Sequence, residues 1–296
     1  MSKKNLDIVV SKMFSNIVLS GGGLAGIAYL GCLKYLEEDM ELRRTIKNIL
    51  GVSSGAIFAL ILAMNLTYEE TKAWVKQLKD IRVNHINVKS LKLLMEKYGL
   101  DEGDGINEIV KSLYELREVG EDITFRELAQ RFGNNLIVAA ANVQRADITY
   151  FSVDKTPDMR VIEAIRASTA IPFVFVPVYH DDEYYVDAFI VDNFPFEYFQ
   201  DQYHQTLGLN LIAKQINIKS CVNFFTNLFY SIIQNHSYKR HENECVVTCT
   251  SNGFNLKKMC FEVEEESFED TVKQAYVTVS EFVARKKEKI TTDSKI

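Results

Sequence analysis

Cysteine is scarce in this 296-residue chain and odd in number: Cys32, Cys221, Cys245, Cys249 and Cys260, with no C-x-x-C among them. That argues against a disulfide framework and points to a reducing, intracellular compartment. The opening residues hold no signal-peptide pattern, because Asp7, Ser11 and Lys12 break their short apolar runs. No apolar run approaches the ~20 residues of a membrane span. The expected location is therefore cytoplasmic or peripheral on a membrane surface. Positive charge is also in deficit. The net charge is -6 and no long basic stripe exists, which argues against bulk nucleic-acid binding. The densest basic run, ARKKEK at 284–289, reads as a solvated helix end. No His/Cys/carboxylate group has ligand spacing, so neither metal nor other cofactor is expected.

The hydrophobic fraction of 47% is ordinary and the length is ample for a large core. FSNIVLS (14–20) reads as a buried strand and LAGIAYLGCLKYLEEDM as the helix after it; TIKNILGVS and SGAIFALILAM repeat the pair. Strand, tight turn and helix twice over imply parallel strands with right-handed crossovers. Amphipathic helical segments run from Thr67 to about Phe132. NLIVAAANV and ADITYFSV follow as strands, MRVIEAIRAST as a helix and TLGLNLI as a late strand. Only four prolines are present, all between 157 and 195, which makes that stretch a set of defined loops. With no repeat or linker, one α/β domain is expected, with a central, mostly parallel sheet. Its core spans 14–200, residues 201–289 complete it, and flexible termini cover 1–13 and 290–296.

Two glycine-rich turns stand out. SGGGLAG (20–26) fits G-x-G-x-x-G through Gly21, Gly23 and Gly26, but the second strand ends without the acid that a dinucleotide site needs. Such a turn also leaves backbone N–H groups uncovered at a helix N-terminus, where a negative oxygen is stabilised. GVSSG (51–55) fits G-x-S-x-G with Ser53 at its centre, flanked by Gly51, Val52, Ser54 and Gly55. That pattern between a strand and an apolar helix reads as a nucleophile elbow; the plainer reading makes Ser53 a helix N-cap. Partners for Ser53 are less clear. Of five histidines, His204, His236 and His241 qualify for a triad by chain position alone. Among carboxylates, Asp187 follows a short apolar run in YYVDAFIVDNFPFE, while Asp192 reads as a turn residue before Pro195. VNFFTNLFYSII (222–233) forms an apolar helical stripe that suits either the sheet or a lipid interface.

SGGGLAG, GVSSG, RASTAIPFVFVPV and VDAFIVDNFP, in this order and spacing, resemble the patatin-like phospholipase family over about Phe14 to Phe199. The resemblance implies a three-layer α/β/α fold and a lipid acyl hydrolase, of phospholipase A or esterase type, acting in lipid metabolism through a serine–aspartate dyad without histidine. By position, Ser53 is then the nucleophile and Asp187 the general base. The N–H groups of Gly21, Gly22, Gly23, Leu24 and Gly26 form the oxyanion hole. A lipid or phospholipid is the implied substrate, with peripheral membrane contact. This chain has Ala188-Phe189 where the family has glycine after the aspartate, Ala25 in place of a common basic residue, and Val52 before the serine. These departures make a catalytically weakened or inactive lipid-binding relative the alternative.

Overall fold

The computed structural model describes residues 14–78, 88–213, 224, 227–228, 231, 243–249 and 265–293. It begins with β1 (Asn16–Leu19), a 3-10 turn over Gly23–Ala28, α1 (Tyr29–Glu38), α2 (Met40–Thr45), β2 (Asn48–Val52) and α3 (Ser54–Ala63). Next come α4 (Tyr68–Gln77), α5 (Val88–Lys97), β3 (Gly99–Asp101), α6 (Asp104–Glu115) and α7 (Phe125–Phe132). β4 (Asn135–Asn142), β5 (Asp147–Ser152), α8 (Val161–Ser168), β6 (Phe173–Phe175), β7 (Val178–His180) and β8 (Glu183–Asp187) follow. Two 3-10 segments, Ala188–Ile190 and Phe196–Gln205, lead to β9 (Thr206–Ala213); β10 (Glu244–Cys249) and α9 (Glu265–Asp293) complete the described elements.

The fold is mixed α/β around an eight-stranded sheet ordered β10-β9-β1-β2-β4-β8-β7, with β5 also paired to β4. β10, β9, β1, β2 and β4 run parallel, while β5, β7 and β8 add antiparallel pairings at one side. Strand alternation sorts the core. Ile17, Leu19, Ile49, Leu136 and Val138 face the helices, and their neighbours Val18, Leu50 and Ile137 pack on Phe194, Phe196 and Phe199 of the opposite face. Gly208 of β9 makes room there: a Cβ on it would lie 2.5 Å from the Phe194 ring. α3 has almost no polar side chain, and eight of its ten residues are buried. That is how a helix reads when it lies inside rather than on a protein. α4 and α7 start at capping boxes in which Thr67 and Thr124 accept the N–H of Glu70 and Glu127.

The helix expected from Leu24 starts instead at Tyr29, because Gly23–Ala28 takes the tighter 3-10 form after a positive φ of 53° at Gly23. The loop stretch 157–195 contains three short strands, β6 to β8. α9 continues to Asp293, past the helix end expected at 289. Most of the 222–233 stripe, the remaining expected terminal segments and His85, His236 and His241 lie outside the described residues. No helix among the described residues is long and apolar enough to cross a membrane.

Candidate active site

The two glycine-rich turns meet at the C-terminal ends of β1 and β2. Gly51 and Gly55 are required by space. A Cβ on Gly51 would lie 2.3 Å from Gly55 O, and one on Gly55 would lie 2.5 Å from Ser20 O. Any side chain there would push α3 away from the sheet. Between them Ser53 adopts φ 55° and ψ -126°, a conformation costing a non-glycine residue on the order of 1–3 kcal/mol. Its side chain makes no capping hydrogen bond to α3, so the N-cap reading fails and the hydroxyl is left for other work.

Sheet register brings the acid to it. Val52 pairs with Ala139, so one further step puts Ser53 level with Ala140, and Ala140 pairs with Asp187 across the antiparallel β4–β8 ladder. The Asp187 N–H donates to Ala170 O at 2.9 Å. Its side chain is fully buried, and Oδ1 accepts the Phe189 N–H at 3.2 Å. Burial pushes the carboxyl up to about 7, against the opposing pull of the Ser53 hydroxyl and the Phe189 N–H. Oδ2 completes no hydrogen bond of good geometry. The serine therefore sits beside the carboxyl without being locked to it.

Ala188 and Phe189 lie in a 3-10 turn and are absent from the positive-φ residues, so the backbone here makes no demand for glycine. Ala188 packs in one small apolar cluster with Val52 and Ala139. Two of the chain's departures from the family pattern therefore share one cluster, with Ala139 of β4 between them. Ala25 is buried in the helical core.

The glycine loop is narrower as a donor set than the sequence suggests. The Gly21 N–H donates to Asn193 O at 3.2 Å, and the Gly22 N–H to Ser54 Oγ at 3.1 Å. Both are committed, which corrects their assignment as free donors. Gly26 packs on the Ser54 side chain and provides space. Gly23 and Leu24 open the 3-10 turn, no side chain caps it, and the first N–H groups of a turn have no acceptor within it.

Three polar residues hold these loops, of which sequence reasoning singled out Ser54 alone, as part of the elbow. Ser168, wholly buried at the end of α8, accepts the Ser53 N–H on its Oγ at 2.9 Å. Asn193 donates from Nδ2 to Gly21 O at 3.0 Å, closing a two-way clasp with that residue. Ser54, next to the candidate nucleophile, ties the elbow to the glycine loop by accepting the Gly22 N–H on its Oγ.

Two rival partners, Asp192 and His204, fall away. Asp192 Oδ1 accepts the Phe194 N–H at 2.8 Å, the turn role expected of it. His204 is exposed beside Gln205 and precedes β9, whose first residue pairs with Asn16. That is the opposite end of the sheet, five strand residues or ~16 Å from Ser53. Among the described residues no cluster of three His, Cys, Asp or Glu could hold a metal.

Comparison with known proteins gives the family. The family model for patatin-like phospholipase matches residues 17–199. The chain belongs to the patatin-like phospholipase family. It is 29% identical over 176 residues to a probable lipid hydrolase of Invertebrate iridescent virus 6, covering 59% of each chain. It is 28% identical over 201 residues to an uncharacterized protein of Acanthamoeba polyphaga mimivirus, covering 68% of this chain and 66% of that one. The chain thus spans about three fifths to two thirds of the length of these curated relatives. Its fold is similar to VipD from Legionella pneumophila, with a TM-score of 0.60 and 18% identity over 92% of this chain and 67% of that one.

Proposed function

We propose that this patatin-like protein is a lipid acyl hydrolase working through Ser53 and Asp187. The observation that carries the reading is the strained serine held level with a fully buried carboxyl that burial has pushed up to about 7. An ordinary aspartate, at ~3.9, is a weak base at neutral pH, whereas one poised in the neutral range accepts a proton with useful driving force.

Ser53 Oγ attacks the ester carbonyl carbon while its proton passes to Asp187 Oδ2. The negative charge that develops on the carbonyl oxygen is met by the Gly23 and Leu24 N–H groups. The N-terminal end of α3, directly after Ser53, adds a favourable dipole. Collapse of the tetrahedral species breaks the acyl–oxygen bond, and Asp187 returns the proton to the departing alcohol. Water then attacks the acyl-serine, gives its proton to Asp187, and releases the fatty acid as Ser53 is re-protonated. Ser168 and Asn193 act through the backbone, fixing the elbow and the glycine loop.

The test is product analysis on phospholipid and neutral lipid, together with hydrolysis of a short-chain aryl ester, using the native chain and Ser53→Ala. Release of fatty acid by the native chain alone is the expected result. Equal rates for the two proteins would remove Ser53 from the reaction.

A further inference from the structure

One face of the molecule is apolar, exposed and placed beside the candidate active site. In α5 the residues Val88, Leu91 and Met95, continued by Tyr98, are all exposed, Val88 at 84% and Met95 at 81%, whereas the buried residue of the helix is Ser90. The spacing of three, four and three residues puts all four on one stripe. Leu93 and Leu94 are half-buried and seat the helix, while this stripe is turned outward.

The stripe continues into exposed aromatics. The Tyr98 ring meets Tyr184 edge-on at 5.9 Å, and Tyr184 meets Tyr179 at 4.8 Å. Phe173, 69% exposed, pairs with Gly99 across the β3–β6 ladder. Both Tyr98 and Phe173 hold positive φ, 68° and 67°. Two bulky residues thus carry backbone strain while presenting their rings to water, an arrangement unfavourable twice over unless something covers them.

We infer that this face docks the protein on a lipid surface carrying anionic headgroups. The inference rests on the lipid-hydrolase reading above and names how that site meets a substrate held in a bilayer. Three features select this occupant. First, α5 carries Lys89, Lys92 and Lys97 against the single Glu96, a net +2 on a chain of net charge -6. Lys92 reaches Glu96 at 3.6 Å and Lys97 reaches Glu102 at 2.7 Å, and both lysine side chains stay more than half exposed; surface pairs of this kind hold weakly. Second, tyrosines beside an aliphatic stripe suit a headgroup boundary, with an apolar body and a wet tip. Third, the face lies near the site along the chain. Tyr184 is three strand residues from Asp187, ~10 Å, with its side chain on the other face of β8, and Phe173 is five residues from Ser168, at most ~18 Å. Asp181 and Asp182 border the tyrosines at the β7–β8 turn, Tyr179 donates to Asp182 at 3.0 Å, and Glu102 stands beside Lys97 at the end of α5, so the positive surplus of the face is confined to the α5 helix and is the part assigned to anionic headgroups.

Vesicle co-sedimentation tests this with Ser53→Ala protein, which leaves the lipid intact. Vesicles of phosphatidylcholine alone are compared with vesicles also containing phosphatidylglycerol. The expected result is binding to the mixed vesicles, lowered at least ~10-fold by Leu91→Glu with Met95→Glu. Lys92→Gln with Lys97→Gln should weaken binding to the mixed vesicles only. In the active background, the Leu91/Met95 variant should hydrolyse a soluble short-chain ester within ~2-fold of the native rate, because neither side chain belongs to the catalytic machinery. If the glutamates lower the melting temperature, Leu91→Ser with Met95→Ser replaces them, and the same loss of binding is expected. Undiminished binding by either double variant overturns the inference. So does an absence of vesicle binding, or equal binding to both vesicle types. A concentration-dependent dimer that the Leu91/Met95 variant dissolves, without vesicle binding, assigns the face to a second copy and equally overturns it. Failure of native protein to hydrolyse any ester counts against the catalytic reading alone, since binding is read on the Ser53→Ala protein.

Discussion

Replacing Asp187 by Asn should abolish hydrolysis yet stabilise the folded protein at alkaline pH. The carboxyl is fully buried and its pKa rises from 3.8 to about 7, chiefly through desolvation. In the unfolded chain it returns to ~3.9. Between about pH 4 and pH 7 the native state thus keeps a proton that the unfolded state has lost, so this group's contribution to stability falls as pH rises. The contribution is complete below about pH 4 and gone above about pH 7. At ~1.4 kcal/mol for each tenfold change in proton affinity, the rise amounts to ~4 kcal/mol as an order of magnitude. Asparagine keeps an oxygen for the Phe189 N–H and replaces Oδ2, which completes no good hydrogen bond in the native protein. At pH 5 the variant should therefore lie within ~1 kcal/mol of native. At pH 8.5 it should be more stable by ~2–4 kcal/mol. With an unfolding entropy of ~2.1 cal/mol/K per residue, that is a Tm higher by ~3–6 °C. The assay is thermal unfolding of both proteins across this pH range, followed by circular dichroism. A Tm difference that stays constant with pH, or that turns against the variant as pH rises, would refute the claim that burial sets the carboxyl's proton affinity.

Native kcat/KM on a soluble ester should rise with pH through an apparent pKa of about 7, since Asp187 must be ionised to accept the serine proton; a flat profile from pH 5.5 to 8.5 would count against it as base. Ser168→Ala leaves the Ser53 N–H without its acceptor at 2.9 Å, and should cost ~1–3 kcal/mol in denaturant unfolding. The same variant should lower kcat more than it raises KM, because the elbow and not the binding surface is loosened. Gly51→Ala places a Cβ 2.3 Å from Gly55 O and should destabilise the fold by more than ~3 kcal/mol, read as lost soluble expression or a collapsed denaturant midpoint.

Local pattern carried much of this site, and it did so where chemistry and chain neighbours coincide. Ser53 was legible because its flanking glycines, the preceding strand and the following apolar helix are contiguous. The parallel strand–helix repeats were legible for the same reason. Asp187 was less so: nothing within YYVDAF distinguishes a base from a surface acid, and it drew its proposed role from resemblance to other chains. Ser168 and Asn193 were invisible as positioning residues. Their partners, Ser53 and Gly21, lie more than a hundred residues away, and one hydrogen bond at that separation leaves no periodic trace. β3 was missed because it has three residues, and both β3 and β10 because their pairing comes from distant strands. The glycine loop was over-read, since composition shows which N–H groups a turn uncovers but not that Asn193 and Ser54 have already engaged two of them.

The ladder that joins β4 to β8 has a consequence for how the protein is made. Ser53 and Asp187 face each other only across β4, at the step where Ala140 pairs with Asp187. On the proposed chemistry, a growing chain holds a serine elbow early but lacks any base for it until residue 187 has left the ribosome and β8 has run back against β4. On that chemistry, reactivity is withheld until this step, and the polypeptide is harmless to nearby lipid until its architecture closes.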